Sequence, residues 1–271
     1  MSKELVIVTG MGAMGMACAR RLGGGRQLLL VDNDADRLEQ SVGALQEEGF
    51  TVSGQRVDLG DPASITALCT NARQRGPLRA LVHTAAVSPT QARAERIYQV
   101  NLEGTARLLA GFVEQLGGST VGIVIASMAA QFVSLSSEQE AQLAHIAPEQ
   151  LATLVAGWEN ANDSNQAYMV AKRGNQLRVE VEALRWARRG ARLLSISPGI
   201  ISTAQGRQEV REQPQVAQLV ADCPVGRIGT PEDIAATVEW LTHPAAGFIC
   251  GTDLRIDGGT IAALRWAQVP P

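Results

Sequence analysis

Short, unbroken apolar runs alternate with helical patterns from one end of the chain to the other. "ELVIVTG" precedes the helical "AMGMACARRL", "QLLLVD" precedes "DADRLEQSVGALQEEG", and "TVSGQRVDL" precedes "DPASITALCTNARQRG". In the last of these, Asp61 and Pro62 stand as N-cap and first helical residue, a strong start signal. The rhythm continues through "LRALVHTAA", the long helical "ERIYQVNLEGTARLLAGFVEQLG", "TVGIVIAS", "ARLLSISPG" and a short last strand, "DLRIDGG". Strands that are apolar throughout belong to a sheet covered on both faces. Strict strand–helix alternation implies parallel pairing through right-handed crossovers. The expected fold class is therefore α/β. It is a single Rossmann-type domain over 1–271, a doubly wound parallel sheet with helices on both faces.

Bulk properties narrow the function. A hydrophobic content of 45% supplies a large core, and a net charge of −3 gives no reason to expect nucleic acid or an anionic membrane surface. Arg185, Arg188, Arg189 and Arg192 are locally basic, but they close a long helix, where cations suit the negative end of the dipole. Cys18, Cys69, Cys223 and Cys250 form no C-x-x-C pair, and His83, His145 and His243 have no ligand spacing, so no metal site is expected. The apolar strand starting near residue 5 is no secretory leader, and no run approaches a membrane span. The expectation is a cytoplasmic protein without a membrane partner.

One interval breaks the rhythm. Between Ser127 and Tyr168 the next long helix is delayed by an insertion at about 131–166. "SSEQEAQLAHI" opens with Ser137 and Glu140 in capping-box spacing. "PEQLATLVAGW" carries Leu151, Leu154, Val155 and Trp158 at i, i+3, i+4 and i+7. Two short helices are expected here, leaving from the carboxyl end of a strand, where open α/β sheets bind their ligands. The stripe either docks on the protein itself or, with Met128 and Phe132, walls a roomy apolar substrate pocket.

The first turn is a candidate phosphate loop. Gly10, Gly12 and Gly15 have G-x-G-x-x-G spacing after the first strand and open the first helix. Glycine permits the tight turn and lets the backbone approach a pyrophosphate, while the helix N-terminus supplies N–H donors. The second strand ends in Asp32. A carboxylate there accepts hydrogen bonds from an adenosine ribose and repels a 2′-phosphate, which favours NAD(H) over NADP(H). Arg37 is the nearby candidate for a phosphate partner.

Tyr168, one of two tyrosines, lies one helical turn before Lys172 in "NQAYMVAKRGNQ". Residues four apart share a helix face. Such a pair in an arbitrary helix is most simply core packing with a snorkelling lysine. The rest of the chain changes that reading.

Taken together, these segments resemble the short-chain dehydrogenase/reductase family over nearly the whole chain. Tyr168-x-x-x-Lys172 matches its catalytic pair, Ser127 in "IVIASMAA" its catalytic serine, and Asn101 in "YQVNLEGT" the asparagine of its proton relay. The resemblance implies a cofactor site from Gly10, Gly12, Met14 and Gly15 in the loop, Asp32, Asp58 and Leu59 on the adenosine side, and Ala85 after the fourth strand. "SPGIIST" implies Pro198, Ile201 and Thr203 beside the nicotinamide, together with Tyr168 and Lys172. "GRIGTPEDIA" and "ICGTDLRIDGG" match its C-terminal signatures. The loop is shorter than the family's usual T-G-x-x-x-G-x-G, and the usual Asn-Asn-Ala-Gly reads His83-Thr84-Ala85-Ala86.

The implied activity is interconversion of a secondary alcohol and a ketone, with a bulky apolar substrate expected. A free phenol titrates near pH 10. To act near neutrality it needs positive charge nearby, and Lys172 and an oxidised nicotinamide have the right sign. Ser127 would orient the substrate oxygen, and Asn101 would hold a water linking Lys172 to solvent. The resemblance also implies a homo-oligomer, tetramer or dimer, built on helices at about 97–116 and 164–190. A cofactor-binding sensor without turnover remains open, as does an epimerase or dehydratase working through transient oxidation.

Overall fold

A computed structural model describes residues 3–266. The ends of the expected 1–271 domain, 1–2 and 267–271, lie outside the described residues. Among the described residues, parallel strands form one seven-stranded sheet in the order β3-β2-β1-β4-β5-β6-β7. The strands are β1 (Leu5–Thr9), β2 (Gln27–Asp32), β3 (Thr51–Arg56), β4 (Leu78–His83), β5 (Val121–Ile125), β6 (Arg192–Pro198) and β7 (Asp253–Ile256). β1 and β5 are buried at every position, as their unbroken apolar sequences require. The doubly wound arrangement inferred from the alternation is the one observed.

Helices cover both faces. α1 (Ala13–Leu22), α2 (Ala35–Glu47) and, later, α11 (Pro231–Thr242) pack on one side. α3 (Pro62–Arg73), α5 (Thr105–Phe112) and α8 (Ser164–Ala187) pack on the other. Asp61 caps α3 by accepting from the N–H groups of Ala63 and Ser64, with Pro62 in the first turn. The chain order reverses between β1 and β4, which are neighbours although β2 and β3 intervene in sequence. That reversal leaves a crevice beyond their carboxyl ends, the usual ligand position in open α/β sheets.

The helix expected from Glu95 onward is not regular. α4 (Ala94–Ile97) runs into a π-helical turn (Tyr98–Gly104) before α5 resumes. π turns inside α-helices frequently mark functional sites. This one contains Asn101.

The insertion forms α6 (Ser137–His145) and α7 (Pro148–Ala156), as its pattern implied. The cap register differs from the expected Ser137/Glu140. Ser136 is the N-cap, its Oγ accepting from the Gln139 N–H while the Gln139 side chain accepts from the Ser136 N–H. The sequence offers two overlapping Ser-x-x-Glu/Gln registers, and Glu140 is engaged elsewhere, 2.6 Å from Arg173 on α8. Leu143, Leu151 and Val155 are fully buried against α4, the π turn and α8. Arg178 of α8 donates to the backbone oxygens of Leu143 and Ile146, closing the end of α6.

The remaining elements complete the far side of the site. α9 (Ala204–Glu212) and α10 (Pro214–Ala221) follow β6, and α12 (Thr260–Trp266) follows β7. α9 buries only Gly206, and α10 buries no residue.

Candidate active site

The glycine loop is held by contacts that a side chain would destroy. Gly10 has φ +85°, and a Cβ there would lie 2.6 Å from the Ala85 backbone. A Cβ on Gly15 would meet the Gly10 oxygen. Thr84 locks the same turn by donating to the backbone oxygens of Thr9 and Gly10 at 2.8 and 2.9 Å. Gly12 differs, because a Cβ on it would face open space. It is the N-cap of α1 and provides no side-chain cap for the helix N–H groups behind it. Uncapped donors at a helix N-terminus beside a cleft fit a pyrophosphate.

That cleft has a volume of about 750 Å³. It brings together Gly10, Gly12, Met14 and Gly15 from the loop. Asp32, Asp58, Leu59, Ala85 and Thr203 join them. The residues present therefore fit a dinucleotide.

Asp32 is buried and more occupied than a free ribose acceptor. Its Oδ2 accepts from the Met11 N–H at 2.6 Å, and its Oδ1 from the Asp34 N–H at 3.0 Å. Arg37 Nη1 lies 3.7 Å from Oδ2 and lines the same cleft. The charge expected to exclude a 2′-phosphate thus has a cation beside it. Asp58 is paired likewise, with Arg96 Nη2 2.6 Å from its Oδ1.

A second cavity of about 360 Å³ opens beside the cleft, sharing Met14, Thr84, Val87 and Thr203 with it. Ser127, Tyr168 and Lys172 all line it, as do Pro198 and Ile201. β5 delivers Ser127 at its end, and α8 presents Tyr168 and Lys172 one turn apart. The Ser127 Oγ accepts from the Ala129 N–H at 3.1 Å, which fixes the turn that follows.

The Tyr–Lys electrostatics differ from the sequence expectation. Lys172 is buried, and its Nζ donates to the Ile125 backbone oxygen at 2.8 Å. It lies 5.6 Å from the centre of the Tyr168 ring. Burial lowers its pKa to about 8. The phenol moves the other way, up to about 12. Burial is the main cause, Ser127 pulls it back, and the carboxylate of Glu209 pushes it further up. An ammonium turned to a carbonyl does not by itself depress the phenol, so in the protein alone Tyr168 keeps its proton.

Asn101 lies on the π turn, and both polar atoms of its side chain bond to the Val87 backbone. Its Nδ2 donates to the Val87 oxygen at 2.8 Å and its Oδ1 accepts from the Val87 N–H at 2.9 Å. The amide thus pins the segment after β4.

His83 was the missed residue. It is fully enclosed, its Nδ1 2.7 Å from Thr9 Oγ1 and its Nε2 2.9 Å from Thr105 Oγ1. Its departure from the usual Asn-Asn-Ala-Gly was the available signal, though nothing in the sequence named its partners.

Met128 and Phe132 line the second cavity, Phe132 at its exposed edge. Trp158 does not. It packs half-buried on the cluster of Leu151, Val155 and α8, so the stripe covers the protein's own helices. The proposed wall from the insertion is corrected accordingly: α9 and α10 supply the opposite side, through Gln205, Glu209, Val216 and Leu219.

Comparison with known proteins agrees with this geometry. The family pattern described as "short chain dehydrogenase" matches residues 4–137, and that described as "Enoyl-(Acyl carrier protein) reductase" matches 149–260. A short-chain dehydrogenase/reductase of Alternaria brassicicola, bsc3, is 33% identical, the match covering 97% of this chain and 98% of that protein. The 2-(S)-hydroxypropyl-CoM dehydrogenase 3 of Xanthobacter autotrophicus is 30% identical, covering 97% and 98%. The solved structure of a short-chain type dehydrogenase/reductase from Mycobacterium ulcerans superposes with a TM-score of 0.78 at 20% identity, covering 99% of this chain and 95% of that one. With identity at this level sustained from end to end, the chain belongs to the short-chain dehydrogenase/reductase family, oxidoreductases that use NAD(P)(H).

Proposed function

We propose that the protein reduces a ketone to a secondary alcohol, and runs the reverse oxidation, with NAD(H) as its preferred cofactor. The observation that carries this reading is the convergence of Ser127, Tyr168 and Lys172 on one cavity that abuts the dinucleotide-shaped cleft. A regulatory protein that only sensed the cofactor would need none of the three there.

The loop of Gly10, Gly12 and Gly15 would hold the pyrophosphate, and Asp32 and Asp58 would serve the adenosine end. A bound nicotinamide would supply the hydride chemistry at the substrate carbon. The protein's own part is to move the proton. Ser127 donates a hydrogen bond to the substrate oxygen and holds it against Tyr168. In reduction the Tyr168 hydroxyl gives its proton to that oxygen as the alkoxide develops. Oxidation needs the phenolate, and bringing a phenol from about 12 to neutrality requires roughly 7 kcal/mol of anion stabilisation at ~1.36 per pKa unit. Lys172 supplies one charge toward this. Resting Tyr168 is protonated and ready for the reductive direction.

Arg37 favours one alternative, acceptance of NADPH as well, because its guanidinium lines the cleft 3.7 Å from Asp32 and would be available to a 2′-phosphate. The test is cofactor oxidation followed across ketones of graded bulk, with NADH and again with NADPH. Net consumption of NADH with at least one ketone is expected. No consumption with any ketone, under conditions where NADH binds, would leave a sensor or an isomerising enzyme instead.

A further inference from the structure

The substrate cavity has an unusual charge inventory. Among the described residues lining it, only Lys172 and Glu209 carry charge. Lys172 is committed, its Nζ buried and donating to Ile125. Glu209 is free to act on a ligand. It sits on α9 with Gln205 one turn before it, and the two line the cavity together with Gln213, the extended residue between the helices, and Val216 and Leu219 of α10.

One of the two Glu209 carboxylate oxygens has a side-chain partner. Gln205 Nε2 donates to Oε1 at 2.9 Å, leaving the other oxygen without a side-chain donor in that pair. The arginines of the same helix do not offset it. Arg207 is exposed and turned to the Ser202 backbone oxygen at 2.9 Å, and Arg211 is exposed and lines neither the cleft nor the cavity. Glu209 lines the same cavity as Tyr168, and its charge adds to the burial that raises the phenol's pKa. A substrate seated against Ser127 and Tyr168 therefore shares its cavity with one carboxylate, in a partly enclosed space.

Resting on the proposed reaction, we infer that Glu209 sets the substrate class: an uncharged ketone or alcohol bearing a hydroxyl near the reacting carbon, with anionic substrates turned away. A hydroxyl donates to the carboxylate, and a charge-assisted bond of that kind is stronger than a neutral one. A carboxylate, sulfonate or phosphate in the same place is repelled, and the cavity offers it no arginine. The apolar end of the wall, Val216 and Leu219, accommodates the rest of the molecule.

The test compares three ketones of similar size with NADH: 4-hydroxy-2-butanone, 2-pentanone and 4-oxopentanoate. The readout is the ratio of kcat/KM values within each protein, which cancels any general loss. In the unaltered protein the hydroxyketone should lead and 4-oxopentanoate should trail 2-pentanone by ~10- to 100-fold. Glu209→Gln, which keeps the partnership with Gln205, should shrink the carboxylate penalty about tenfold. Glu209→Lys should reverse its sign. Equal ratios in all three proteins would overturn the assignment. Should none of the ketones consume NADH, the proposed reaction falls, and calorimetric binding of the same three compounds to the protein–NADH complex reads the ratio independently of turnover.

Discussion

His83 Nε2 lies 2.9 Å from Thr105 Oγ1, and the Thr105 hydroxyl in turn donates to the Asn101 backbone oxygen at 2.8 Å. Because Thr105 spends its proton on Asn101, His83 must donate from Nε2 and accept from Thr9 at Nδ1. The chain of bonds fixes one neutral tautomer and ties β1, β4 and the π turn together.

That neutral state has a pH signature. Burial, with the nearby Lys172 charge, lowers the His83 pKa from 6.5 to about 3. Between those values the unfolded chain binds the extra proton and the folded one does not, so stability is full above about pH 6.5 and declines as pH falls toward 3. The group's share is roughly 5 kcal/mol at ~1.36 per pKa unit. His83→Gln keeps a donor for Thr105 and should cost about 1–3 kcal/mol at pH 7. The gap in Tm between variant and parent should close on acidification. A gap constant from pH 7 to pH 4 would mean that His83 is not held neutral.

Tyr168→Phe removes only the hydroxyl. Cofactor binding, followed by quenching of protein fluorescence, should persist, while kcat falls at least ~10²-fold, the low end of general acid–base contributions. A near-normal rate on the best ketone would return Tyr168 to a packing role.

Asp32→Asn removes charge while keeping an oxygen for the Met11 or Asp34 N–H. The ratio of kcat/KM for NADPH over NADH should rise about tenfold or more, and Arg37→Ala should lower it by a similar factor, the worth of a charge-assisted bond. Steady-state kinetics with both cofactors decides the matter. Movement of both variants in the same direction would contradict the opposed roles.

Trp158→Ala should lower stability by about 2 kcal/mol, less than the ~3–5 for a fully buried aromatic, and leave KM for ketone and NADH unchanged. Phe132→Ala, at the cavity edge, should raise KM for the bulkier ketones without moving Tm. The reverse pattern would restore the insertion as a wall of the pocket.

What could be read from the sequence was local or strictly ordered. The strands announce themselves by unbroken apolar runs, the loop by three glycines between a strand and a helix, and the Tyr168–Lys172 pair by helical spacing. The stripe Leu151, Leu154, Val155 and Trp158 says that a face is covered but not by what, and the cover is the π turn around Tyr98 and Leu102. The capping box slipped by one residue because "SSEQE" holds two valid registers and only the distant Arg173 separates them. The bridge made by His83 joins residues 74 and 22 positions away, beyond any periodicity. The phenol's upward shift depends on enclosure and on Glu209, which a sequence places only after α9 is folded against α8's end of the sheet.

The anchoring of the insertion divides the two sides of the substrate cavity mechanically. α6 is bolted to the catalytic helix by Glu140–Arg173 and by Arg178 on its terminal carbonyls, and α7 is wedged against the π turn. α9 and α10 bury almost nothing. Elements with few buried contacts open at the lowest free energy. Compliance therefore belongs to the α9–α10 side, and α8 acts as a rigid anvil: in amide exchange its central N–H groups should be among the last to take up deuterium, and those of α10 among the first.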